Sequence, residues 1–463
     1  MSQAGTQSNP LRVAIIGSGP SGFYAADFLQ KQKDLVVAID MYDRLPTPFG
    51  LVRGGVAPDH QKIKTVIKAY EKTAQHPSFR FFGNVTFGRD VTREELEAHY
   101  HAILYSVGSE TDRRMGIPGE DLSGSHPATK FVGWYNAHPD YREEKFDLTQ
   151  ENVAVVGIGN VAMDVIRILA RSKSELMETD IADYALDALI NSSVKNIYVL
   201  ARRGPAQAAY TNPEIRELGE MEIADVTCLP EEVELDPYSK AAMEANPDRT
   251  VDTNVQIVQE YAKRAPTGKK VRIHFRFLVS PVEVIGKDRV EAVKIVKNKL
   301  VQSDDGSIRP KATDQFETIP VGLIFRSVGY MGQALPGLPF DNRNGVFPND
   351  KGRIIDPETK APVTGNYCAG WIKRGPSGVI GTNKPDAQES AQLILEDMAA
   401  SKLLTPKNAA PEAVDALLKA KGIRYVSYAE WQKLDKLELE RGAAVGRPRN
   451  KFSRVEEMLA ALG

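Results

Sequence analysis

Two glycine-rich turns are the parts of this sequence best suited to bind a reactive cofactor. The first has the sequence GSGPSG at residues 17–22 and follows an apolar run at residues 13–16. The second has the sequence GIGNVA at residues 157–162 and follows an apolar run at residues 153–156. A buried strand, a tight glycine turn and a helix together direct backbone N–H groups and a helix N-terminus towards a pyrophosphate. Two such turns predict two nucleotide cofactors in one molecule.

The ends of the strands that follow the turns distinguish the two cofactors. After the first turn, an apolar strand leads to Asp43, where a carboxylate accepts hydrogen bonds from both hydroxyls of an unphosphorylated ribose. After the second turn, the strand at residues 196–200 leads to Arg202 and Arg203, which suit a ribose 2′-phosphate. The sequence therefore predicts FAD at the first turn and NADP at the second. Two alternatives stay open at this point: the turns only pack a helix against a strand, or the arginines are solvated surface residues.

Length and composition indicate a globular enzyme of more than one domain. A chain of 463 residues is too long for a single hydrophobic core and suggests two or three domains. The sequence has no apolar run long enough for a transmembrane helix, so no membrane span is expected. The formal net charge of −2 gives no indication of a nucleic-acid partner, and none is expected.

Cysteine and histidine usage excludes several kinds of redox site. The only cysteines, Cys228 and Cys368, are far apart and form no C-x-x-C pair. This argues against a disulfide oxidoreductase and against an iron–sulfur cluster within the chain, and it fits a reducing, cytoplasmic location. The histidines show no metal-ligand spacing, so no metal is expected.

Two similar segments indicate how the domains are divided. Residues 102–108 and 323–330 both read as a strand that ends in glycine, and they bracket the second glycine turn. We therefore predict an α/β fold with two dinucleotide-binding (Rossmann-like) domains, in which the NADP domain is inserted into the FAD domain. The predicted boundaries are 1–113 for the first part of the FAD domain, 114–326 for the NADP domain, 327–404 for the second part of the FAD domain, and 405–463 for a helical C-terminal tail attached to the FAD domain.

Several sequence blocks resemble the adrenodoxin-reductase type of ferredoxin–NADP reductase, and its bacterial members most closely. In family order, these blocks are residues 17–22, 48–53, 55–60, 131–136, 159–164, 202–205 and 370–380. Residues 446–449 (GRPR) resemble the bacterial members only. The resemblance implies FAD and NADP(H) as cofactors and hydride transfer linked to ferredoxin reduction.

The resemblance also implies which residues bind the cofactors. The FAD contacts implied are Gly17, Gly19, Pro20, Ser21, Gly22, Asp43, Leu51, Val85, Trp371, Gly378, Val379 and Ile380. The NADP contacts implied are Gly159, Asn160, Val161, Arg202, Arg203, Glu214 and Gly378. Pro213, just before Glu214, departs from the family pattern and is expected to shift the start of that helix.

Two residues are candidates for a catalytic role. His60 and Glu214 are expected to tune the nicotinamide position and flavin protonation, because hydride transfer to flavin N5 needs no acid or base on the protein. Asp59 is expected to orient the His60 imidazole.

The predicted function is an FAD-dependent reductase that takes a hydride from NADPH and reversibly passes single electrons to a ferredoxin-type iron–sulfur protein. Ferredoxins are generally acidic, so a basic docking patch is expected. Its candidate residues are Arg216, Arg249, Lys263, Arg264, Lys269, Lys270 and Arg272. The main alternative is an NADPH diaphorase or oxidase with a quinone, oxygen or another small acceptor. A flavin subunit of a larger complex would be expected to carry a cysteine-rich extension, and a non-catalytic nucleotide sensor would not need the loop at residues 371–380.

Overall fold

The structure is a computed structural model that describes residues 4–463, so residues 1–3 of the predicted FAD domain lie outside the described residues. The strands are β1 (Leu11–Ile16), β2 (Val37–Tyr42), β3 (Phe79–Phe82), β4 (Ala102–Tyr105), β5 (Thr111–Asp112), β6 (Ser125–Pro127), β7 (Asn152–Val156), β8 (Asn196–Leu200), β9 (Ala224–Cys228), β10 (Val271–Arg276), β11 (Val279–Ile285), β12 (Ala292–Gln302), β13 (Ile308–Pro320), β14 (Leu323–Arg326), β15 (Tyr330–Met331), β16 (Asn349–Asp350), β17 (Arg353–Ile355) and β18 (Pro362–Cys368).

The helices connect these strands and form the C-terminal tail. They are α1 (Pro20–Gln30), α2 (Leu51–Gly54), α3 (Gln61–Lys64), α4 (Ile67–Ala74), α5 (Arg93–Glu97), α6 (Ala128–Tyr135), α7 (Asn160–Ala170), α8 (Lys173–Met177), α9 (Asp183–Ile190), α10 (Asn212–Leu218), α11 (Pro237–Ala245), α12 (Arg249–Lys263), α13 (Trp371–Arg374), α14 (Asn383–Ala399), α15 (Pro411–Ala420), α16 (Tyr428–Ala443) and α17 (Val455–Leu462). Short 3-10 helices lie at Pro139–Tyr141, Pro205–Gln207, Pro230–Glu232 and Ile380–Thr382. No helix in residues 4–463 is both long enough and apolar enough to cross a membrane.

The first sheet has the strand order β16-β17-β18-β4-β1-β2-β3. Strands β18, β4, β1, β2 and β3 pair in parallel, and every residue of β1 is buried. Because β1 lies between β4 and β2, the strand order reverses next to β1, and a crevice opens at the carboxyl ends of these strands. The helix that follows β1 is α1, so the first glycine turn lies at this crevice.

The second sheet repeats this arrangement with different strands. Its order is β6-β14-β7-β8-β10-β9, and all its strand pairs are parallel. Strand β7 lies between β14 and β8, so its carboxyl end is also a switch point, and α7 follows it across the second glycine turn. An antiparallel sheet, β11-β12-β13, accompanies this domain.

The chain passes from the first sheet to the second and back. The first sheet takes strands from residues 11–105 and 349–368, and the second takes strands from residues 125–326. The two crossings pair with each other through β5 and β15, where Tyr330 lies opposite Asp112. This arrangement confirms the predicted α/β fold with one dinucleotide-binding domain inserted into the other, while the residue boundaries stay a prediction. We refer to the two parts as the first and the second domain.

The C-terminal tail contacts both domains. Trp431, Leu434 and Met458 belong to the apolar core of the first domain. Arg447 and Lys451 bond to residues of the second domain. The second set of contacts was not indicated by the sequence.

Candidate functional site

The glycines of the first turn differ in whether a side chain would fit, and only Gly19 has open space where a Cβ would point. Gly17 has a φ of +99°, and a Cβ there would lie 2.6 Å from the Ser106 carbonyl oxygen, so glycine is required by the fold. Gly19 is the N-cap of α1 in an ordinary extended conformation, and a Cβ there would meet no atom within 4 Å. The N-terminus of α1 therefore opens onto a cradle that suits a phosphate.

The second glycine turn has the same two-part design. Gly157 has a φ of +119°, and a Cβ there would overlap the Ser327 carbonyl oxygen. Gly159 is the N-cap of α7, and a Cβ there would meet no atom within 4 Å. Asn160, the first residue of α7, accepts a hydrogen bond on Oδ1 from Thr211 N at 2.9 Å. Both turns thus present a helix N-terminus to open space, as two bound pyrophosphates require.

The carboxylate at the end of β2 is held against the first turn. Asp43 Oδ2 accepts hydrogen bonds from Ser18 N at 3.0 Å and Ser18 Oγ at 2.5 Å, and Oδ1 accepts one from Leu45 N at 2.9 Å. These bonds fix the carboxylate where the predicted ribose would lie. Val85 N donates to the Asp43 carbonyl oxygen at 2.9 Å, but the Val85 side chain is buried in the domain core. Only the backbone of Val85 is thus placed beside Asp43.

The two arginines after β8 have no countercharge in residues 4–463. Arg202 is exposed and Arg203 is half-buried, and neither forms an ion pair with a described carboxylate. Burial, together with the positive charge of Arg202, lowers the pKa of the Arg203 guanidinium. Two adjacent cations that repel each other and lack a partner suit a dianionic phosphate.

Three segments that are distant in the sequence meet at the first turn. Phe49 N donates to the Ser18 carbonyl oxygen at 3.0 Å, which places the start of α2 beside the turn. Ser21 Oγ donates to Asn383 Oδ1 at 3.0 Å, which ties the start of α1 to the start of α14. Pro20 lies in the first turn of α1, where its missing N–H costs nothing. The structure therefore brings the predicted FAD segments together.

Large apolar side chains are exposed in these segments. Leu51 of α2 is 42% exposed, and Val379 is 54% exposed between Gly378 and the 3-10 helix that begins at Ile380. Trp371 Nε1 donates to the Ser377 carbonyl oxygen at 3.2 Å, so the indole is fixed against the glycine-containing loop. Exposed apolar side chains beside a glycine loop suit the face of a flat, apolar ring system.

A buried ionic cluster lies where the two domains meet. We call it the interface cluster; its members are Asp59, His60, Asp164, Arg167, Arg171, Glu214 and Glu217. Its centre is Arg167, which is 0% exposed. The Arg167 guanidinium donates to Asp59 at 2.6 Å, to Asp164 at 2.6 Å and to Glu214 at 2.8 Å. Since Asp59 belongs to the first domain and the other two to the second, this cation bridges the domains.

His60 lies at the edge of the interface cluster. Its Nε2 donates to Glu217 Oε2 at 3.2 Å, and its Nδ1 lies 3.7 Å from Glu214 Oε1. Burial opposes protonation of His60, but the hydrogen bond to Glu217 and the nearby carboxylates outweigh it, so the pKa of His60 is raised. Burial raises the pKa of Asp164 to about 6. Both groups therefore keep their protons to a higher pH than a free imidazole or a free carboxyl group does.

The structure corrects one expectation about this region. Asp59 does not orient His60: it accepts hydrogen bonds from Arg167 and from Arg171, the latter at 2.6 Å, and Glu217 bonds the imidazole instead. Pro213 lies in the first turn of α10, which begins at Asn212, and its expected effect on the start of this helix stays a prediction.

Sequence reasoning missed Asp164, Arg167 and Glu217. A signal was present for the first two, because an aspartate and an arginine three residues apart interrupt the apolar helix α7. His60 and its neighbouring carboxylates form two groups of three whose possible metal-ligand atoms lie within 4.8 Å of one another. The carboxylates of both groups already form ion pairs with Arg167 or Arg171; they are Asp59, Asp164, Glu214 and Glu217. The expected absence of a metal stays a prediction.

The predicted docking residues do not form one surface. All seven are exposed. Arg249 begins α12 and Lys263 ends it, so they lie about 21 Å apart at 1.5 Å per residue. Arg272 pairs in register with Asn196, at the amino ends of the parallel strands β10 and β8. Because Arg202 follows the carboxyl end of β8, the basic run from Lys263 to Arg272 lies at the edge of the sheet opposite to the predicted NADP site.

Comparisons with known proteins agree with this geometry. Residues 11–224 match the family described as pyridine nucleotide-disulphide oxidoreductase. The chain is 44% identical to the NADPH-ferredoxin reductase FprA of Mycobacterium leprae, over 96% of this chain and 97% of that protein. It is 40% identical to the mitochondrial NADPH:adrenodoxin oxidoreductase of Salvelinus fontinalis, over 98% of this chain and 91% of that protein.

A solved structure also matches the whole fold. The structure of Mycobacterium tuberculosis FprA in complex with NADPH superimposes with a TM-score of 0.92 at 43% identity, covering 98% of this chain and 100% of that one. Identity and coverage of this size, together with two glycine turns in an inserted two-domain arrangement, show that the chain belongs to the family of NADPH-ferredoxin reductases and adrenodoxin oxidoreductases.

Proposed function

We propose that this protein is an FAD-dependent NADPH–ferredoxin reductase, an oxidoreductase that takes a hydride from NADPH and reversibly passes single electrons to a ferredoxin-type iron–sulfur protein. The main observation behind the proposal is that each domain has a helix N-terminus, of α1 or of α7, that faces open space after a glycine turn. The strand after the first turn leads to Asp43, a carboxylate held by hydrogen bonds, and the strand after the second leads to Arg202 and Arg203, which lack a countercharge. The names of the FprA and adrenodoxin oxidoreductase relatives support it.

The first domain binds FAD. The proposed contacts to its pyrophosphate and ribose are Gly17, Gly19, Pro20, Ser21, Gly22 and Asp43, with the backbone of Val85 near the adenine. The proposed contacts to the flavin ring are Leu51, Trp371, Gly378, Val379 and Ile380. When bound, FAD accepts two electrons as a hydride and releases them one at a time, which joins a two-electron donor to a one-electron acceptor.

The second domain binds NADP(H). Gly159, Asn160 and Val161 lie at the N-terminus of α7 and suit the pyrophosphate, while Arg202 and Arg203 suit the 2′-phosphate. In this arrangement the interface cluster lies where the nicotinamide would meet the flavin, because it joins α7 to the first domain. His60 and Glu214 then tune the local proton and charge balance, and catalysis comes mainly from position and exclusion of water.

An acidic partner is part of the proposal. A cavity of about 400 Å³ beside the proposed flavin loop is lined by Arg113, Lys373 and Arg374 along with Pro376 and Ser377. Lys373 and Arg374 pair with Asp386 and Glu389, whereas Arg113 is exposed and forms no ion pair with a described carboxylate. Arg113 therefore supplies the unpaired positive charge that would steer an acidic electron acceptor. The basic run from Lys263 to Arg272 lies at the far edge of the second sheet and is a less direct route for electrons.

A cytoplasmic location and the absence of a metal also belong to the proposal. Cys228 and Cys368 are both free and buried, which suits a reducing compartment.

An anaerobic visible titration tests the cofactor assignment. The purified protein is loaded with FAD and titrated first with NADPH and then, in a separate sample, with NADH. We expect a yellow flavin spectrum that one equivalent of NADPH bleaches and that NADH bleaches poorly. A protein that binds no FAD, or a flavin that NADPH leaves oxidised, would contradict the proposal.

A second assay separates the proposed acceptor from the alternative. Steady-state NADPH oxidation is compared with a purified ferredoxin and with a quinone, each at saturating concentration. Faster reduction of the ferredoxin supports the proposed function. Faster reduction of the quinone would favour an NADPH diaphorase.

A further inference from the structure

The C-terminal tail crosses the boundary between the two domains in one short segment. This segment, residues 446–454, joins α16 to α17, and we call it the interdomain strap. Lys451 is buried with only 2% of its side chain exposed, and Arg447 is almost as buried. Long cationic side chains are rarely buried to this extent unless they are paired, so we expect both residues to have specific polar partners.

One side of the strap is bound to the second domain. The Arg447 guanidinium donates to the carbonyl oxygen of Thr179 at 3.0 Å, to the carbonyl oxygen of Ile181 and to the carboxylate of Asp183. Asn450 Nδ2 donates to the other oxygen of Asp183 at 2.9 Å. These acceptors lie in the connection between α8 and α9 and at the first residue of α9. Helix α9 packs on α6, and α6 packs on α7, the helix that begins at the proposed NADP pyrophosphate site.

The other side of the strap is bound to the proposed flavin helix. Lys451 Nζ donates to the carbonyl oxygen of Arg53 at 3.1 Å. The Arg53 guanidinium donates to both oxygens of Glu438 at 2.8 and 2.5 Å, and Phe452 N donates to Glu438 at 2.9 Å. Arg53 lies two residues after Leu51 in the four-residue helix α2, so the strap holds the helix that carries a proposed flavin contact.

A single buried carboxylate joins the two sides. Asp180 of the second domain accepts a hydrogen bond from Lys64 of the first domain at 2.7 Å, and it lies 3.2 Å from Nζ of Lys451. Burial and the nearby cations Lys64 and Arg53 lower the pKa of Lys451 to about 7, against the attraction of Asp180. Buried ion pairs add little to the free energy of unfolding, because the cost of desolvating the charges offsets their attraction. They fix the geometry of the site, because each buried charge must stay close to its partners.

We propose that Lys451 and Arg447 are positioning residues for hydride transfer, which hold the second domain at the distance from α2 that the reaction needs. The inference rests on the proposed function. Hydride transfer requires reacting atoms about 3–3.5 Å apart, and a misplacement of about 1 Å costs about 100-fold in rate. With flavin and nicotinamide held by different domains, any loosening of the strap changes that distance directly.

The test compares two strap variants with a control from the same segment. Lys451→Met and Arg447→Gln each remove one buried charge, and Arg454→Met removes an exposed charge that also contacts the second domain, at Glu143. Flavin reduction is followed in single turnover at saturating NADPH, without oxygen. We expect the limiting rate to fall by about 10- to 100-fold in the two strap variants and to stay within about 2-fold in Arg454→Met.

Two further readouts separate positioning from a general loss of structure. The NADPH concentration giving half the limiting rate should change by less than about 3-fold, because all the proposed NADPH contacts lie outside the strap. Dithionite-reduced protein should transfer electrons to ferricyanide at the wild-type rate, because that step needs only the flavin domain. Strap variants that bind FAD and reduce it at the wild-type rate would overturn the inference, and so would equal losses in both half-reactions.

A conservative variant covers the case in which Lys451→Met fails to bind FAD. Arg447→Lys keeps the charge and part of the hydrogen bonding, so its limiting rate of flavin reduction should lie between those of Arg447→Gln and the wild type. If Arg447→Gln reduced the flavin at the wild-type rate, the inference would again be overturned. Failure of the proposed function gives a different result, because the wild-type flavin would then not be reduced by NADPH at all.

Discussion

The two glycine turns have the same backbone design, but the side chains that follow them are in opposite states. Asp43, after the first turn, is held by three hydrogen bonds from Ser18 and Leu45. Arg202 and Arg203, after the second, have no carboxylate partner among the described residues, and their mutual repulsion lowers the pKa of Arg203 in addition to burial. In the proposed function, the turn binds the pyrophosphate that both cofactors share, and the strand end binds the ribose, where they differ.

Corresponding glycines in the two turns also differ in the same way in the space available for a side chain. A Cβ at Gly17 or Gly157 would overlap the backbone of a neighbouring strand end, whereas a Cβ at Gly19 or Gly159 would meet no described atom within 4 Å. We therefore expect a substitution at Gly17 or Gly157 to destabilise the fold, and a substitution at Gly19 or Gly159 to weaken cofactor binding.

The largest expected effect separates these two roles in the first domain. Gly17→Ala places a Cβ 2.6 Å from the Ser106 carbonyl oxygen at a φ of +99°, so we expect a loss of stability of more than about 2 kcal/mol and almost no bound FAD. Gly19→Ala fits the fold but projects into the proposed pyrophosphate site. It should leave the melting temperature of the FAD-free protein unchanged while weakening FAD binding. Thermal unfolding and fluorescence titration with FAD check both; equal melting temperatures for the two FAD-free variants would contradict the division of roles.

The next effect tests the strand ends. Arg202→Ala combined with Arg203→Ala removes the charge-assisted bonds to the 2′-phosphate, each worth about 1.5–3 kcal/mol. We therefore expect the KM for NADPH to rise by about 100-fold or more while the KM for NADH hardly changes. Steady-state ferricyanide reduction with each donor measures this. An equal rise for both donors would show that the arginines do not read the 2′-phosphate.

The parts of the site that could be predicted from the sequence are those built from neighbouring residues. The turns, Asp43 and the Arg202–Arg203 pair each follow a strand within one βαβ unit, so local pattern places them. The inserted arrangement was visible because residues 102–108 and 323–330 have the same strand-then-glycine form, and the structure places β4 in one sheet and β14 in the other.

The parts that could not be predicted depend on packing between domains. Glu217 reaches His60 and Asp59 reaches Arg167 across more than 100 residues of sequence, and no local pattern encodes such distances. Asp59 stands next to His60 in the chain, yet its carboxylate pairs with arginines of the other domain. The strap is a similar case, since GRPR gives no indication of which carbonyl groups Arg447 will bind.

The smallest expected effect concerns the place where the two domains meet, because His60 comes from the first and Glu217 from the second. Glu217→Gln keeps a hydrogen-bond acceptor but removes the charge that favours the imidazolium, so the pKa of His60 should fall. His60 is protonated at a pH below its pKa and loses the proton as the pH rises past the pKa. The midpoint of the His60 titration should therefore move to lower pH in the variant. The rate of flavin reduction by NADPH at neutral pH should change by less than about 10-fold.

The titration of His60 by NMR and the pH profile of flavin reduction measure these changes. Glu220→Gln is the matched control, because Glu220 is an exposed carboxylate just beyond α10 that makes no contact with His60. A His60 midpoint that stays in place in Glu217→Gln would mean that the buried carboxylates around Arg167, and not the hydrogen bond across the interface, set the proton affinity of this histidine. The proton affinity of His60 would then depend on the carboxylates that surround Arg167, which come from both domains, and not on the hydrogen bond to Glu217.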